Sequence, residues 1–274
     1  MNARPATLVW YEILEQLVRD GEPSHPRGMA IKELMHYSAT IDLRYPVIVS
    51  PTRDLSYKFM AAEAAWILSG DDQVATIAPY NKRIANYSDD GVKFFGAYGP
   101  SFIGQISYVV EALVKDPDTR QAVMTIWRPN PPATKDVPCT VAVQFYIRKG
   151  KLHCIDTMRS SDVWLGWVYD VFNFAMMTYW VRKRLKAAYN IDVELGTLTI
   201  QAGSQHLYEE NQEKALQVLQ YDYWKRDITA LHHIDAELAT TGLDEIQLIQ
   251  YLWHLADKQN LDEEWTNATL ATKL

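Results

Sequence analysis

Apolar positions recur at helical spacing near the start of the chain. Trp10, Ile13, Leu14, Leu17 and Val18 predict an amphipathic helix over 7–20, stopped at Gly21. The next stretch, GEPSHPRG, holds two prolines and two glycines and predicts a loop without regular structure. Met35 to Val49 is strand-like, with Tyr45-Pro46 restricting it to an edge or breaking it. A helix is predicted over 55–69, closed by Gly70, and it carries Glu63 among Ala61, Ala62, Ala64 and Ala65. Facing inward, Glu63 must be hydrogen-bonded, ion-paired or raised in pKa; facing outward, it is an ordinary helix former. Residues 71–100 are polar and turn-rich, and the glycines around Tyr98 suit close backbone approach about an aromatic ring. A second helical pattern runs over 101–114 and breaks at Asp116-Pro117-Asp118, before a short apolar strand from Ala122 to Trp127.

A proline-rich loop, 128–138, then delivers Cys139 to a hairpin. Val141, Val143, Phe145 and Ile147 alternate with small or polar neighbours, Arg148 to Lys151 supplies the turn, and Leu152, Cys154 and Asp156 alternate along the return. In an antiparallel pair, Cys139 at the start of one strand lies beside Arg159 at the end of the next. Residues 171–189 read as a long apolar helix whose aromatic and methionine stripe is most simply core, and Leu195 to Ile200 as a strand. His206 and Tyr208 share one side of an extended segment. Helices follow over 209–220, 230–239 and 244–258. No repeat, low-complexity tract or long linker divides the chain, which predicts a single domain over 1–274 with a helical C-terminal part from about 220 onward.

Composition narrows the possibilities. With 274 residues, 48% of them hydrophobic, the chain can bury a sizeable core. A net charge of −7 disfavours a nucleic-acid surface but leaves room for a local pocket holding one phosphate. Only two cysteines are present, and they never cluster with histidine at metal-ligand spacing, so the expectation is a reduced, cytoplasmic-type protein without a metal. The N-terminus lacks a signal-peptide core, and no 18-residue apolar run marks a membrane span.

Several short motifs fall in the order found in thymidylate synthases and the related pyrimidine-nucleotide hydroxymethylases. Pro138-Cys139 with Gln144-Phe145-Tyr146 resembles the nucleophile strand of that family. Arg159-Ser160-Ser161-Asp162-Val163-Trp164-Leu165-Gly166 resembles its RSxDxxLG signature, and Gly203 to Tyr208 its Gly-x-x-His-x-Tyr segment. Ala62 to Asp71 resembles its glutamate helix, with Gly96-Ala97-Tyr98-Gly99 and Asp116 to Arg120 between. The likeness spans about Leu8 to Leu219. It implies an α+β fold with a large twisted mixed sheet covered by helices, one sheet face forming a homodimer interface. It further implies that the Cys139 thiolate adds to C6 of a pyrimidine, an addition that a neighbouring Arg159 would favour by lowering the thiol pKa. Glu63 would move protons, and Tyr98 would lie near the thiol. Arg27, Arg159 and Ser160 would hold the 5′-phosphate, with Arg120 reaching across from the partner subunit. His206 and Tyr208 would bind the sugar, and Asp162 and Gly166 would lie near the co-substrate, 5,10-methylenetetrahydrofolate. Read without the family, Arg27 is equally a solvated loop arginine, Cys139 a small hydrophobe at a strand start, and Cys154 a buried strand residue.

Departures from the synthase pattern choose within the family. Asp170 stands where synthases place an asparagine that reads uracil. A carboxylate accepts from the C4 amino group of cytosine, so Asp170 points to dCMP, unless a shifted register makes Asn173 the reader. Thr140 and Met158 resemble the hydroxymethylase pattern, and Ile77 to Asp90 lacks the sheltering tryptophan of synthases. The reading that results is hydroxymethylation of dCMP. Alternatives are a dUMP enzyme, a CMP hydroxymethylase, and a silent relative that binds nucleotide or RNA. By analogy, the deoxy enzymes belong to phages that make modified DNA.

Overall fold

The protein is described by a computed structural model covering residues 3–222 and 242–268. Helix α1 (Ala6–Asp20) buries Trp10, Ile13, Leu14 and Leu17 completely and ends where the Gly21 N–H bonds Leu17 O, as the periodicity predicts. The expected loop after it contains a three-residue strand, β1 (Glu22–Ser24), which pairs with the edge of β2 (Ile31–Asp42); prolines are tolerated at such an edge. The loop's tight turn follows, Pro26–Gly28, with Arg27 and Gly28 both at positive φ (55° and 77°). The ladder of β2 stops at Asp42, short of the strand end expected at Val49. Arg44 folds back onto the Asp42 carboxylate and Pro46 lacks an N–H, so Val47 to Val49 are buried without being in a strand.

Helix α2 (Tyr57–Leu68) is buried along its length except at Lys58 and Glu63, which are half-buried. Short α3 (Val74–Ile77) and a 3₁₀ turn (Lys82–Tyr87) lead to α4 (Tyr98–Lys115), which starts at Tyr98 itself, three residues earlier than its apolar pattern. β3 (Val123–Thr125) then joins the hairpin of β4 (Thr140–Arg148) and β5 (Lys151–Met158). Lys149 joins Gly150 at positive φ (52° and 71°), the two-residue geometry that matches strand twist in a tight hairpin. After β6 (Ser161–Asp162) comes α5 (Trp167–Tyr189), starting four residues before its predicted beginning, so that Asp170 lies in its first turn. The apolar stripe of α5 is core, as expected. β7 (Glu194–Tyr208) runs antiparallel to β2 and parallel to β5, which makes the sheet mixed, in the order β1-β2-β7-β5-β4-β3 with β6 on β7.

The C-terminal helices are α6 (Glu209–Asp222), α7 (Glu245–Asp257) and α8 (Leu261–Ala268). The helix expected over 230–239 lies outside the described residues. α7 and α8 lie against α2, and Asp262 accepts from the Lys58 N–H (2.8 Å) and the Ser56 hydroxyl (3.3 Å) at the α2 N-terminus. The result is an α+β architecture in which one sheet face carries the buried side chains of β5 (Leu152, Cys154, Asp156, Met158) and the other presents His153, Ile155 and Thr157. Among the described residues no helix is long and apolar enough to cross a membrane.

Candidate active site

The C-terminal ends of β5 and β7 and the N-terminal ends of α4 and α5 converge around Cys139. The hairpin does what its alternation promises: the Arg159 N–H bonds Cys139 O at 2.8 Å. The pairing shifts register between Thr140 and Ala142, a bulge that inserts one residue. Strict alternation would turn Val141 inward; the bulge instead buries Thr140 completely and leaves Cys139 half-buried. The Cys139 Sγ lies 3.8 Å from the Ser160 hydroxyl. Cys154, two positions from Asp156 along β5, is wholly buried and is core.

The guanidinium of Arg159 is fixed by the strand it flanks. Nε donates to Pro138 O (3.0 Å), Nη2 to Val137 O (2.9 Å) and Nη1 to the Ser160 hydroxyl (2.9 Å). The expectation that Arg159 lowers the thiol pKa is met only in part. Burial pushes Cys139 up, and this outweighs the downward pull of Arg159 and of Ser160, while Asp170 and Asp162 push it up further. The thiol is held neutral by its surroundings until something reduces that burden.

A cavity of about 170 Å³ opens nearby, lined among others by Glu63, Tyr87, Tyr98, Asp136, Asp170 and Asn173. Glu63 faces inward, which resolves the two readings of its helix. Asn173 Nδ2 donates to its Oε2 at 2.8 Å, yet burial still pushes the carboxyl up to about 7. That is the range in which an acid exchanges protons at neutral pH. Asp170 is raised well above the carboxylate range by burial first, then by Glu63 and Asp162. Tyr98 accepts the Thr140 N–H at 3.3 Å and is likewise pushed far up by burial. It stacks on Phe174 with ring centroids 6.1 Å apart.

His206 and Tyr208 do share one side of β7, their rings edge to face at 5.2 Å. Asp162 pairs with His206 across β6 and β7, and its Oδ1 accepts from the N–H groups of Trp164 (2.8 Å) and Leu165 (3.2 Å), forming the turn that reaches Gly166. Burial raises the Asp162 carboxyl, and His206 opposes this. Arg27 is exposed on its left-handed turn, close enough to Tyr87 to act on its hydroxyl. Arg120 stands apart from this group. It is exposed between α4 and β3, where its carbonyl accepts from Gln144 Nε2 (2.8 Å).

Several residues of the site escaped the sequence reading. Tyr87 lies in the polar segment read only as turns, and its hydroxyl feels Asp162, Tyr208, Arg27 and Cys139 at once. Asp136 sits in the loop before Cys139 and accepts the Gly96 N–H at 2.7 Å. Asp156 was visible in phase with Leu152 and Cys154; in the fold it is fully buried, and neither carboxyl oxygen has a hydrogen-bond partner.

The chain is 33% identical over 184 residues to a protein of Bacillus phage SP01 named deoxyuridylate hydroxymethyltransferase; the alignment covers 58% of this chain and 47%, about half, of that relative. Residues 9–261 match the family described as thymidylate synthase, a match that takes in the glutamate helix, the Cys139 hairpin and α7. The chain belongs to the thymidylate synthase family.

Proposed function

We propose that the protein transfers a one-carbon unit to C5 of a pyrimidine nucleotide, and that the nucleotide is dCMP, hydroxymethylated with water as the final nucleophile. The observation that carries the choice of base is the state of the two candidate readers. Asn173 spends its amide N–H on Glu63, whereas no described residue donates a hydrogen bond to the Asp170 carboxyl in the cavity wall. An acceptor left free there suits the amino group at C4 of cytosine.

The remaining roles follow from position. Cys139 adds to C6, making C5 nucleophilic, and is expelled when the product forms. Glu63, poised near 7, moves protons and orders water at the base. Arg27, Arg159 and Ser160 hold the 5′-phosphate through charge-assisted hydrogen bonds. His206 and Tyr208 meet the sugar hydroxyl. The reduced folate, 5,10-methylenetetrahydrofolate, supplies the one-carbon unit when bound. Its place fits the Asp162–Gly166 turn: the Arg53 guanidinium lies 4.5 Å over the Trp164 ring, and its buried Nε lacks a partner, as a flat anionic ligand would require. In a homodimer built on the open sheet face, the exposed Arg120 is the arginine left over for the partner's phosphate.

The name of the phage relative favours a second reading, in which dUMP is the substrate. Incubation with methylenetetrahydrofolate and each nucleotide, with products resolved by mass, separates the two. We expect 5-hydroxymethyl-dCMP from the wild type, none from Cys139→Ala, and a shift towards dUMP in Asp170→Asn. Turnover of dUMP alone by the wild type would sink the dCMP assignment.

A further inference from the structure

Asp156 has no role in the chemistry above, yet it is an unusual buried group. It projects from β5 on the face shared by Leu152, Cys154 and Met158, wholly out of solvent, and neither carboxyl oxygen has a hydrogen-bond partner. The titratable groups that face it are Asp170 from α5, Tyr98 from α4 and Cys154 from its own strand. None of these is a cation. The remaining polar neighbour is the Thr140 hydroxyl on β4, fully buried and near enough to pull the Asp156 pKa down, though not placed in hydrogen-bond geometry. An isolated carboxylate in such a place, next to a second carboxyl, is far too costly to persist, whereas a neutral carboxyl can donate. The bulge that leaves Cys139 half-buried also buries Thr140 near Asp156.

We propose that Asp156 is a positioning residue of the active site: a carboxyl that donates to the Thr140 hydroxyl, directly or through a buried water, and so holds the Cys139–Thr140 bulge against Tyr98. The arrangement connects two partnerless groups in one bond. It also explains why a carboxyl is kept in a row otherwise apolar. Thr140 is tied on both sides, its N–H to the Tyr98 hydroxyl and its side chain to Asp156. The thiol is its immediate neighbour in the chain.

The inference rests on the reading of Cys139 as nucleophile but not on the identity of the base. The test therefore uses whichever pyrimidine nucleotide the wild type turns over. Asp156→Asn keeps a neutral donor; Asp156→Leu keeps the branched skeleton, in bulkier form, and removes the donor. If Asp156 acts by donating, Asn should stay within about threefold of wild-type kcat/KM, and Leu should fall by about tenfold or more. A packing role predicts the reverse order, and Leu equal to or better than Asn overturns the proposal. Thr140→Val supplies a second route should the Leu variant fail to fold: it removes the acceptor and should lose about as much, with no additional loss when combined with Asp156→Asn. Independently of turnover, the infrared carbonyl stretch of a protonated carboxyl should be present in the wild type at neutral pH and diminished in Asp156→Asn. An unchanged spectrum would show that Asp156 is ionised and overturn the proposal even if the enzyme acts on dUMP.

Discussion

Glu63 in the helical wall of the cavity and Asp156 on strand β5 behind it are both carboxyl groups that burial pushes upward, but Glu63 receives a well-formed hydrogen bond from Asn173, whereas Asp156 has only the nearby Thr140 hydroxyl. Asn173 donates to Glu63 from the neighbouring helix α5, one turn after Asp170, and this holds its pKa to about 7. The Thr140 hydroxyl lies near Asp156 and pulls its pKa down, but burial and Asp170 outweigh it and drive the carboxyl well beyond the usual carboxylate range. The difference separates a group that can exchange its proton during turnover from one that keeps it. A helix wall can tune an acid in this way because a single side chain from the adjacent helix suffices. In a strand the neighbouring backbone groups are already committed to the ladder and have no N–H to offer.

The largest effect should come from Glu63→Gln. Gln retains the shape but neither takes up nor releases a proton, and the loss in kcat/KM should be about 10²- to 10⁴-fold, read by steady-state kinetics. The same variant tests the burial argument through stability. A carboxyl raised from 4.5 to about 7 favours the folded state fully below the lower value and loses that contribution as pH climbs through the upper one. Urea midpoints of the wild type should therefore decline across this window more steeply than those of the Gln variant. Equal slopes would mean that Glu63 titrates at its ordinary value and is not the tuned member of the pair.

How much of this contrast could be read from the chain depends on the range of the interactions. The strand wall was legible where it is local: a hairpin with alternating apolar positions puts Cys139 beside Arg159, and the 2.8 Å backbone bond between them follows. Its bulge was not legible, because an inserted residue leaves no mark on an apolar alternation until the partner strand is in place; Val141, counted inward, gave way to Thr140. On the helical wall, Glu63 among alanines was already conspicuous, but its direction was undecided until α5 brought Asn173 within 2.8 Å across a separation of 110 residues. Asp170 and Asn173 were both candidate readers in sequence. The fold separates them in one respect: Asn173 donates a hydrogen bond to Glu63 and Asp170 does not. The end of β2 was misjudged for a simpler reason, since a buried apolar run and a paired strand look alike along one chain.

Removing the amide sharpens the comparison further. In Asn173→Leu the one group that lowers the Glu63 pKa is gone, so that value must move above about 7, bringing Glu63 closer to the behaviour of Asp156. The pH–rate limb governed by Glu63 should shift in the alkaline direction. Activity at neutral pH should drop by up to about tenfold and recover as the pH is raised. A uniform loss at every pH would instead point to damaged packing of α5.

The smallest effect concerns what supports each wall. The N-terminus of α2 is capped twice: the Ser56 hydroxyl accepts from the Phe59 N–H at 3.2 Å, and the Asp262 carboxylate of α8 accepts from Lys58 N–H at 2.8 Å. Tyr57 and Trp265 add an aromatic contact at 5.2 Å between the same two helices. The hairpin is held by other elements: Arg159 ties to Val137 and Pro138 beside it, and the Thr140 N–H bonds the Tyr98 hydroxyl on α4. Asp262→Ala should therefore cost about 0.5–2 kcal/mol, the usual cost of a lost helix cap, seen as a lower denaturant midpoint. The alkylation rate of Cys139 should stay at its wild-type value, because nothing in the hairpin leans on α8. A parallel change in thiol reactivity would show that the two walls move together, and that the C-terminal helices act on the nucleophile as well as on the glutamate.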